Sequence, residues 1–330
     1  MLPAVSQKLK RAQGLALWVG SVLFVLKLGA WWLTNSNALL SDALESIINL
    51  LAGSLALYSL HLAGKPKDLN HPYGHGKVEF IAAGLEGGLI LLAGVFIIGK
   101  GGYNFFFPQP LEHLTVGLAM AALSAGVHFW LGSYLLRLGR HHHSLTLQAD
   151  GKHLLSDAYT SLALVAGFLF MVGFGWNWMD NLLALGVGGY ILFTGYRLLR
   201  TATAGIMDEA DHRLVKDLVR ILERHRHPNW VDVHNLRVIK YGAALHIDCH
   251  LTLPYYFTLH ESHREVKRFE HLLQTHCPNP TELFIHSDPC DPPQACLYCS
   301  KPDCPFRQKP FERAESWTLE NIVADRPHHR

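Results

Sequence analysis

The chain has 330 residues, of which 49% are hydrophobic and 17% charged, with a net charge of +2 and 22 histidines. A near-neutral balance, with Lys and Arg spread along the chain, argues against a nucleic-acid partner. No H-E-x-x-H, Gly-x-Ser-x-Gly or phosphate-loop pattern is present, so nothing in the sequence points to an enzyme.

The averages hide a division. From about residue 12 to 204 the sequence is apolar with short polar breaks, and from Asp208 onward it is charged and rich in histidine. The expected organisation is a transmembrane domain over 1–207, a cytoplasmic domain over 208–290 and a cysteine-containing tail over 291–330. The basic start "MLPAVSQKLKRAQG" leads into an apolar run of full membrane length without a small-residue cleavage site. It reads as a retained anchor, not a signal peptide. A bilayer core takes about 20 apolar residues per helix. Six spans follow, near 12–34, 38–62, 79–103, 114–137, 149–174 and 178–202. Lys8, Lys10, Arg11, Lys65, Lys67, Lys77, Arg137, Arg140, Arg197 and Arg200 all fall on one side. The loops near 34–37, 104–113 and 175–180 contain no Lys or Arg, and Trp31, Trp32, Trp176 and Trp178 stand at that interface. The positive-inside rule places both termini in the cytoplasm of a multi-pass protein of a cell (inner or plasma) membrane.

Two spans carry ionisable groups. In "LLSDALESIINL" the residues Asp42, Glu45 and Asn49 recur at spacings of three and four, on one helical face. The fifth span repeats "LLSDA" and sets His153 four residues before Asp157. Two helices that each offer such a pair can build a four-ligand cation site, and their oxygen and imidazole donors suit Zn²⁺, Fe²⁺, Mn²⁺ or Co²⁺. Lys27 and Glu86 lie in the first and third spans and could pair across them. His128 in the fourth span reads as a packed, hydrogen-bonded histidine, not a ligand.

After Gly205 the period changes. "DEADHRLVKDLVRILERHR" reads as an amphipathic helix with Leu214, Leu218, Ile221 and Leu222 on one face. "WVDVHNLRVIKYG" and "ALHIDCHLTLP" alternate as strands about Gly242, "TLHESHREVKRFEHLLQTHC" is a second helix, and "TELFIHSDP" is a third strand. The order αββαβ gives an α+β layer of the ferredoxin-like kind. His234 and His250 fall on strands, His263 on the second helix, and His286 and Asp288 at the end of the last strand. His246 shares a strand face with Asp248 and His250 and is a further candidate ligand. In "CDPPQACLYCSKPDC" the residues Cys290, Cys296, Cys299 and Cys304 could close a tetrahedral thiolate site or remain ordinary thiols. A short histidine run, His141 to His143, sits in a cytoplasmic loop.

Six spans, the polar sets on the second and fifth, "DLNHPYGHGKVE" between the second and third, and the histidine-bearing C-terminal domain together resemble the cation diffusion facilitator family. The resemblance covers about residues 12 to 290. It implies a six-span α-helical membrane protein with a C-terminal ferredoxin-like cytoplasmic domain, working as a homodimer in the lipid bilayer. The implied function is export of a divalent metal cation driven by proton antiport. Zn²⁺ is the foremost substrate, with Fe²⁺, Mn²⁺, Co²⁺ and Cd²⁺ open, and no organic cofactor is implied. The resemblance puts the transport site on Glu45, Asn49, His153 and Asp157. It puts a loop metal site on Asp68, His71 and His75, and a metal cluster on His234, His250, His263, His286 and Asp288. Lys77 and Asp208 match a pair that interlocks the dimer. The family's second-span pair is usually His or Asp followed by Asp, whereas this chain has Glu45 followed by Asn49. Asp42, one turn earlier, is the candidate that could restore the missing carboxylate. The alternative reading is a membrane-anchored metal sensor that does not transport.

Overall fold

The computed structural model describes residues 3–34, 37–106, 114–174, 179–277 and 280–328. They form two compact units, Met1–Met207 and Asp208–Arg330.

The first unit consists of six long helices: α1 (Pro3–Thr34), α2 (Asn37–Ala63), α3 (Val78–Phe106), α4 (Leu114–His141), α5 (Leu145–Phe174) and α6 (Met179–Ile206). Several begin before the apolar run that announces them. α1 takes in Lys8, Lys10 and Arg11, and α5 starts at Leu145, ahead of the membrane-length segment. Hydropathy marks the part of a helix that suits lipid, but the hydrogen-bond ladder continues past it. Among the described residues, Gln7–Trp32, Val78–Gly99 and Ala119–His141 are long and apolar enough to cross a membrane. α2 adds a shorter apolar stretch, Asn49–Ala63. The first half of α5 carries Asp150, Lys152, His153 and Asp157, which lowers its mean hydropathy. Trp176 and Trp178 lie outside the described residues.

This unit is built inside out. Trp18, Val25, Phe96 and Trp130 are more than half exposed, while Gln13, Lys27, Glu86, Asp150 and His153 are buried. A lipid-facing surface needs apolar side chains, and ionisable groups retreat to the bundle interior. Little hydrophobic drive exists between helices in lipid, so close approach must come from small residues. A Cβ on Gly87 of α3 would stand 2.9 Å from the Leu199 amide nitrogen of α6, and one on Gly195 would stand 2.9 Å from that of Leu91. α5 meets α4 in the same way. A Cβ on Gly151 would lie 2.7 Å from the Leu136 nitrogen. Gly151 is two residues from His153, so this contact sets where His153 sits. The start of α5 is tied down by Glu79, whose carboxylate accepts from the Ser144 hydroxyl at 2.5 Å.

The second unit follows the expected order. α7 (His212–Arg224) begins at Asp211, which accepts from the Arg213 and Leu214 amides as N-cap. Its buried face is Val215, Leu218, Val219 and Leu222. Leu218 and Leu222 lie on it as read, whereas Leu214 and Ile221 are only partly buried and Val215 and Val219 complete the face. β1 (Asp232–Tyr241) and β2 (Ala244–Leu253) are antiparallel about Gly242, whose φ of 61° favours a glycine. α8 (Leu259–His276) opens with a Thr258–Glu261 capping box. β3 (Thr281–Pro289) lies parallel to β2 and completes the sheet order β1-β2-β3. Residues 291–328 are not a loose appendage. Trp317 and Ile322, the latter in the short helix α9 (Leu319–Ile322), enter the same core as Trp230, Ile247 and Phe269. The Arg226 guanidinium lies 4.2 Å from the Trp317 ring centroid.

Trp317→Ala is expected to remove about 3–5 kcal/mol from the second unit, the usual cost of emptying a buried large aromatic site. It should also speed tryptic cleavage within 301–326. Wild-type denaturation and digestion rates in the variant would show that the tail merely lies on the surface.

Candidate metal centres

Inside the first unit, α2 and α5 bring Asn49, His153 and Asp157 together. The Asn49 Nδ2 donates to Asp157 Oδ2 at 2.7 Å, and the Asn49 Oδ1 stands 2.9 Å from His153 Nε2. His153 Nε2 is 3.8 Å from Asp157 Oδ2. The i, i+4 spacing on α5 puts both α5 groups on the face that meets α2. Hence the amide that replaces the usual carboxylate bridges the other two donors. Glu45 and Asp42 lie on α2, but their side chains are outside the described residues.

A further group arrives from α3. Glu86 is 2% exposed, and its Oε1 lies 3.3 Å from His153 Nδ1. The sequence left Lys27 either to pair with Glu86 or to snorkel. In the structure the Lys27 ammonium reaches the Ser46 hydroxyl at 3.1 Å, while Glu86 faces the imidazole. The signal was present: an acidic residue flanked by "GL" and "GG" in an apolar helix has to meet something polar. What the sequence could not supply was which helix α3 faces. One turn before His153, buried Asp150 accepts from Gln13 at 2.7 Å. A cavity of ≈ 30 Å³, space for about one water molecule, is lined by Gln13, Asn49, His128 and Asp150 among others. His128 is packed and 7% exposed, as expected, but its Nδ1 has no hydrogen-bond partner among the described residues.

Between α2 and α3, Asp68, His71 and His75 bring one donor atom each within 4.8 Å of the others. Asp68 Oδ1 accepts from the His71 amide at 2.7 Å and lies 3.1 Å from His71 Nδ1. Asp68 Oδ2 is 3.2 Å from His75 Nε2. The His71 backbone hydrogen bond, with the His71 imidazole beside it, holds the Asp68 carboxyl below the usual carboxylate range despite some desolvation. It stays ionised and able to bind a cation. Gly74, with φ 92°, makes the turn that sets His75 back over Asp68.

In the second unit the sheet register does the assembly. His234 pairs with His250 across β1–β2, and His250 pairs with His286 across β2–β3. The three imidazoles therefore stand in one row, with centroid separations of 5.1 and 4.8 Å. Asp288 follows His286 by two residues, on the same face. Its Oδ2 lies 2.9 Å from His250 Nδ1 and 3.4 Å from His234 Nε2, and its Oδ1 lies 3.2 Å from His286 Nε2. His234, His250 and Asp288 bring three donors within 4.8 Å. β1 bulges between His234 and Arg237, with Asn235 at φ 52°. A bulge re-aims the side chain beside it. His234 is also backed by buried Asp232, 3.4 Å from its Nδ1. Burial alone would raise the Asp232 carboxyl, but His234 and the His328 imidazole bonded to it hold it far below the usual range. His328 is a partner that the sequence reading missed.

Two candidates do not join this group. His263 lies exposed on α8, outside the three-donor set. His246 bonds to Glu282 at 3.2 Å instead. It is four residues from His250, about 13 Å along a strand, so sharing a face does not bring it to the same ion. His141 to His143 form no three-donor group among the described residues.

The chain is similar to known proteins over most of its length. Residues 15–207 match the cation efflux transmembrane domain, and residues 210–290 match the cation efflux protein cytoplasmic domain. An uncharacterized transporter of Synechocystis sp. is 32% identical over 288 residues, covering 86% of this chain and 93% of that protein. The cation-efflux pump FieF of Yersinia pestis is 28% identical over 294 residues, covering 88% of this chain and 96% of its own length. FieF of Yersinia pseudotuberculosis matches to the same extent. With both domains matched in sequence and in order, the chain belongs to the cation diffusion facilitator family of membrane cation-efflux transporters.

Proposed function

We propose that this protein exports a divalent metal cation from the cytoplasm in exchange for protons, with Zn²⁺ the best-fitting substrate. The observation that carries the reading is the convergence of Asn49, His153 and Asp157 inside an apolar helical unit. Imidazole, carboxylate and amide oxygen together suit a borderline cation. Glu45, by resemblance, completes the set. An amide in place of a carboxylate lowers the negative charge of the site by one. That weakens the case for zinc alone and keeps Fe²⁺, Mn²⁺, Co²⁺ and Cd²⁺ as competing substrates.

The coupling follows from the donor chemistry. Neutral imidazole can bind metal and imidazolium cannot, so metal and proton compete for the same nitrogen. Cytoplasmic pH near neutrality loads the site, and a more acidic outer side expels the metal. Helices rocking about a fixed midplane site would alternate the access. Glu86 acts through His153. Without metal, His153 Nε2 donates to Asn49 Oδ1; when metal displaces that proton, a carboxylate beside Nδ1 would hold the ring proton there and leave the Nε2 lone pair for the metal.

The cytoplasmic cluster has the donors for a resident metal, with His234, His250 and Asp288 already at hand and His286 adjacent. A protein of this family works as a homodimer on this reading. Exposed His263 is then available to the cluster of a second subunit, so metal there would tie the two cytoplasmic domains together. Asp68, His71 and His75 supply a separate, solvent-facing cation site on the loop.

Asp157→Ala in reconstituted vesicles is expected to abolish metal uptake; transport by the variant at the wild-type rate would remove the site assignment, and no uptake by the wild type itself would leave a sensor as the better reading. For His153→Asp, metal affinity should survive, and its loss with falling pH should move below the wild-type midpoint of about pH 6–7, the ordinary imidazole range. An unchanged midpoint rules out His153 as the coupling group. Glu86→Ala should cost about 10–100-fold in metal affinity, the usual effect of removing a carboxylate behind a ligating histidine. Titration calorimetry that gives the wild-type constant would confine Glu86 to a packing role.

A further inference from the structure

The four tail cysteines have no part in the transport reading, and the family's cytoplasmic domain ends at residue 290, where they begin. All four are free thiols; Cys296 and Cys299 are buried, and Cys290 and Cys304 partly so. The segment that carries them has one helical turn, Ala295–Leu297, and almost no core of its own. Only Val231, Ala295, Tyr298 and Cys299 are buried together there, with Cys290 and Leu297 against them. So small an apolar cluster cannot fix a chain path, and short segments of this kind are usually held by metal or disulfides.

The path is nonetheless well defined. The Arg307 guanidinium donates to the carbonyls of Cys296, Cys299 and Lys301 at 2.8, 3.0 and 2.6 Å. The Glu312 amide donates to the Leu297 carbonyl at 2.8 Å. The Phe306 ring packs 5.0 Å from Tyr256 and 5.7 Å from Tyr255, and so anchors the segment around Cys304 to the turn after β2. Two backbone amides are aimed at sulfur: Tyr255 N at Cys290 Sγ, 3.4 Å, and Gln308 N at Cys296 Sγ, 3.5 Å. Amide donors that face sulfur favour the thiolate over the thiol.

We propose that Cys290, Cys296, Cys299 and Cys304 form a tetrathiolate site for a thiophilic divalent cation of the Zn²⁺ or Cd²⁺ class, distinct from the transport site and from the His234 cluster. The spacing C-x5-C-x2-C-x4-C supplies four ligands, with the central C-x-x-C as the knuckle. Anionic sulfurs gathered on one short segment repel one another, and a dication is what stabilises such a set together. The four sulfurs are not gathered as tightly as the Asp68 and His234 groups, which alone among the described residues bring three donors within 4.8 Å. Zn–S bonds of about 2.3 Å therefore require the thiolates to close inward. Metal would stitch β3 to the segment that leads on to Trp317, and so would stiffen the tail that completes the cytoplasmic core.

The test uses the full chain in detergent, reduced and loaded with Co²⁺ in place of zinc. The expected result is one sulfur-to-cobalt charge-transfer band per chain with tetrahedral ligand-field intensity. Zn²⁺ should displace it and shield the four tail thiols from alkylation, mapped by peptide mass. The band should persist in Asp157→Ala and His250→Ala and vanish in Cys296→Ser/Cys299→Ser. A wild-type cobalt spectrum without sulfur charge transfer would overturn the site with no variant needed. So would a band that survives the double substitution, or tail thiols that alkylate equally with and without zinc. Because the Asp157→Ala protein is read in the same assay, failure of the transport reading and failure of the tail site are separable.

Discussion

An ionisable side chain at the centre of a bilayer costs at least about 2.5–3.5 kcal/mol on insertion scales, and the arrangement of the first unit answers that cost. Asn49, His153, Asp157 and Glu86 come from three helices; Asn49 is hydrogen-bonded to both Asp157 and His153, and Glu86 stands 3.3 Å from His153 Nδ1. Asn49 has the central place. Its amide donates to the carboxylate and accepts at the imidazole, so one neutral group satisfies two ionisable ones. A carboxylate at that position would repel Asp157 unless a cation lay between them. The amide keeps the group together without one, at the expense of charge for holding a dication.

The same need for closeness accounts for the glycines. His153 reaches Asn49 and Glu86 only if α5 is fixed against its neighbours, and lipid gives little hydrophobic drive for that. At Gly151 the backbones of α4 and α5 approach so closely that any side chain would collide. Position in the bundle, and with it the chemistry of the site, rests on missing atoms as much as on present ones.

How much of this was legible depends on the kind of signal. The α5 pair was readable because i, i+4 spacing in an apolar run is a property of one helix. Glu86 at His153 was not, because a third helix had to be oriented about its own axis first. In the second unit the strands were readable from alternation, but a row of three histidines is a property of register. His246 shows the limit: it shares a face with His250 yet bonds to Glu282 four residues down the strand. The buried stripe of α7 was read only in part, Leu218 and Leu222 correctly and the valines not, for a related reason. Val215 and Val219 are buried and Ile221 only partly so because the sheet and the tail decide which side of the helix is covered. Nothing in residues 208–290 announces that the tail will supply Trp317 and Ile322 to that core.

The tail also reaches the histidine row by a second route. Asn235, at the β1 bulge, donates its amide to the Ala324 carbonyl. His328 donates its amide to Asp232 at 3.1 Å and also bonds to it through the imidazole. Asp232 in turn faces His234 Nδ1 at 3.4 Å. A carboxylate behind a ligating imidazole sets its tautomer and its basicity, and this carboxylate is itself held by the last described turn of the chain. The residues that anchor the tail and the residues that orient His234 are therefore the same residues. Any event that loosens the tail, whether loss of Trp317 packing or opening of the cysteine segment, removes support from the first histidine of the row before it disturbs His250 or Asp288. The consequence is directional. His234 is the candidate ligand whose carboxylate neighbour Asp232 is bonded to the tail, whereas His250 and Asp288 stand on β2 and β3.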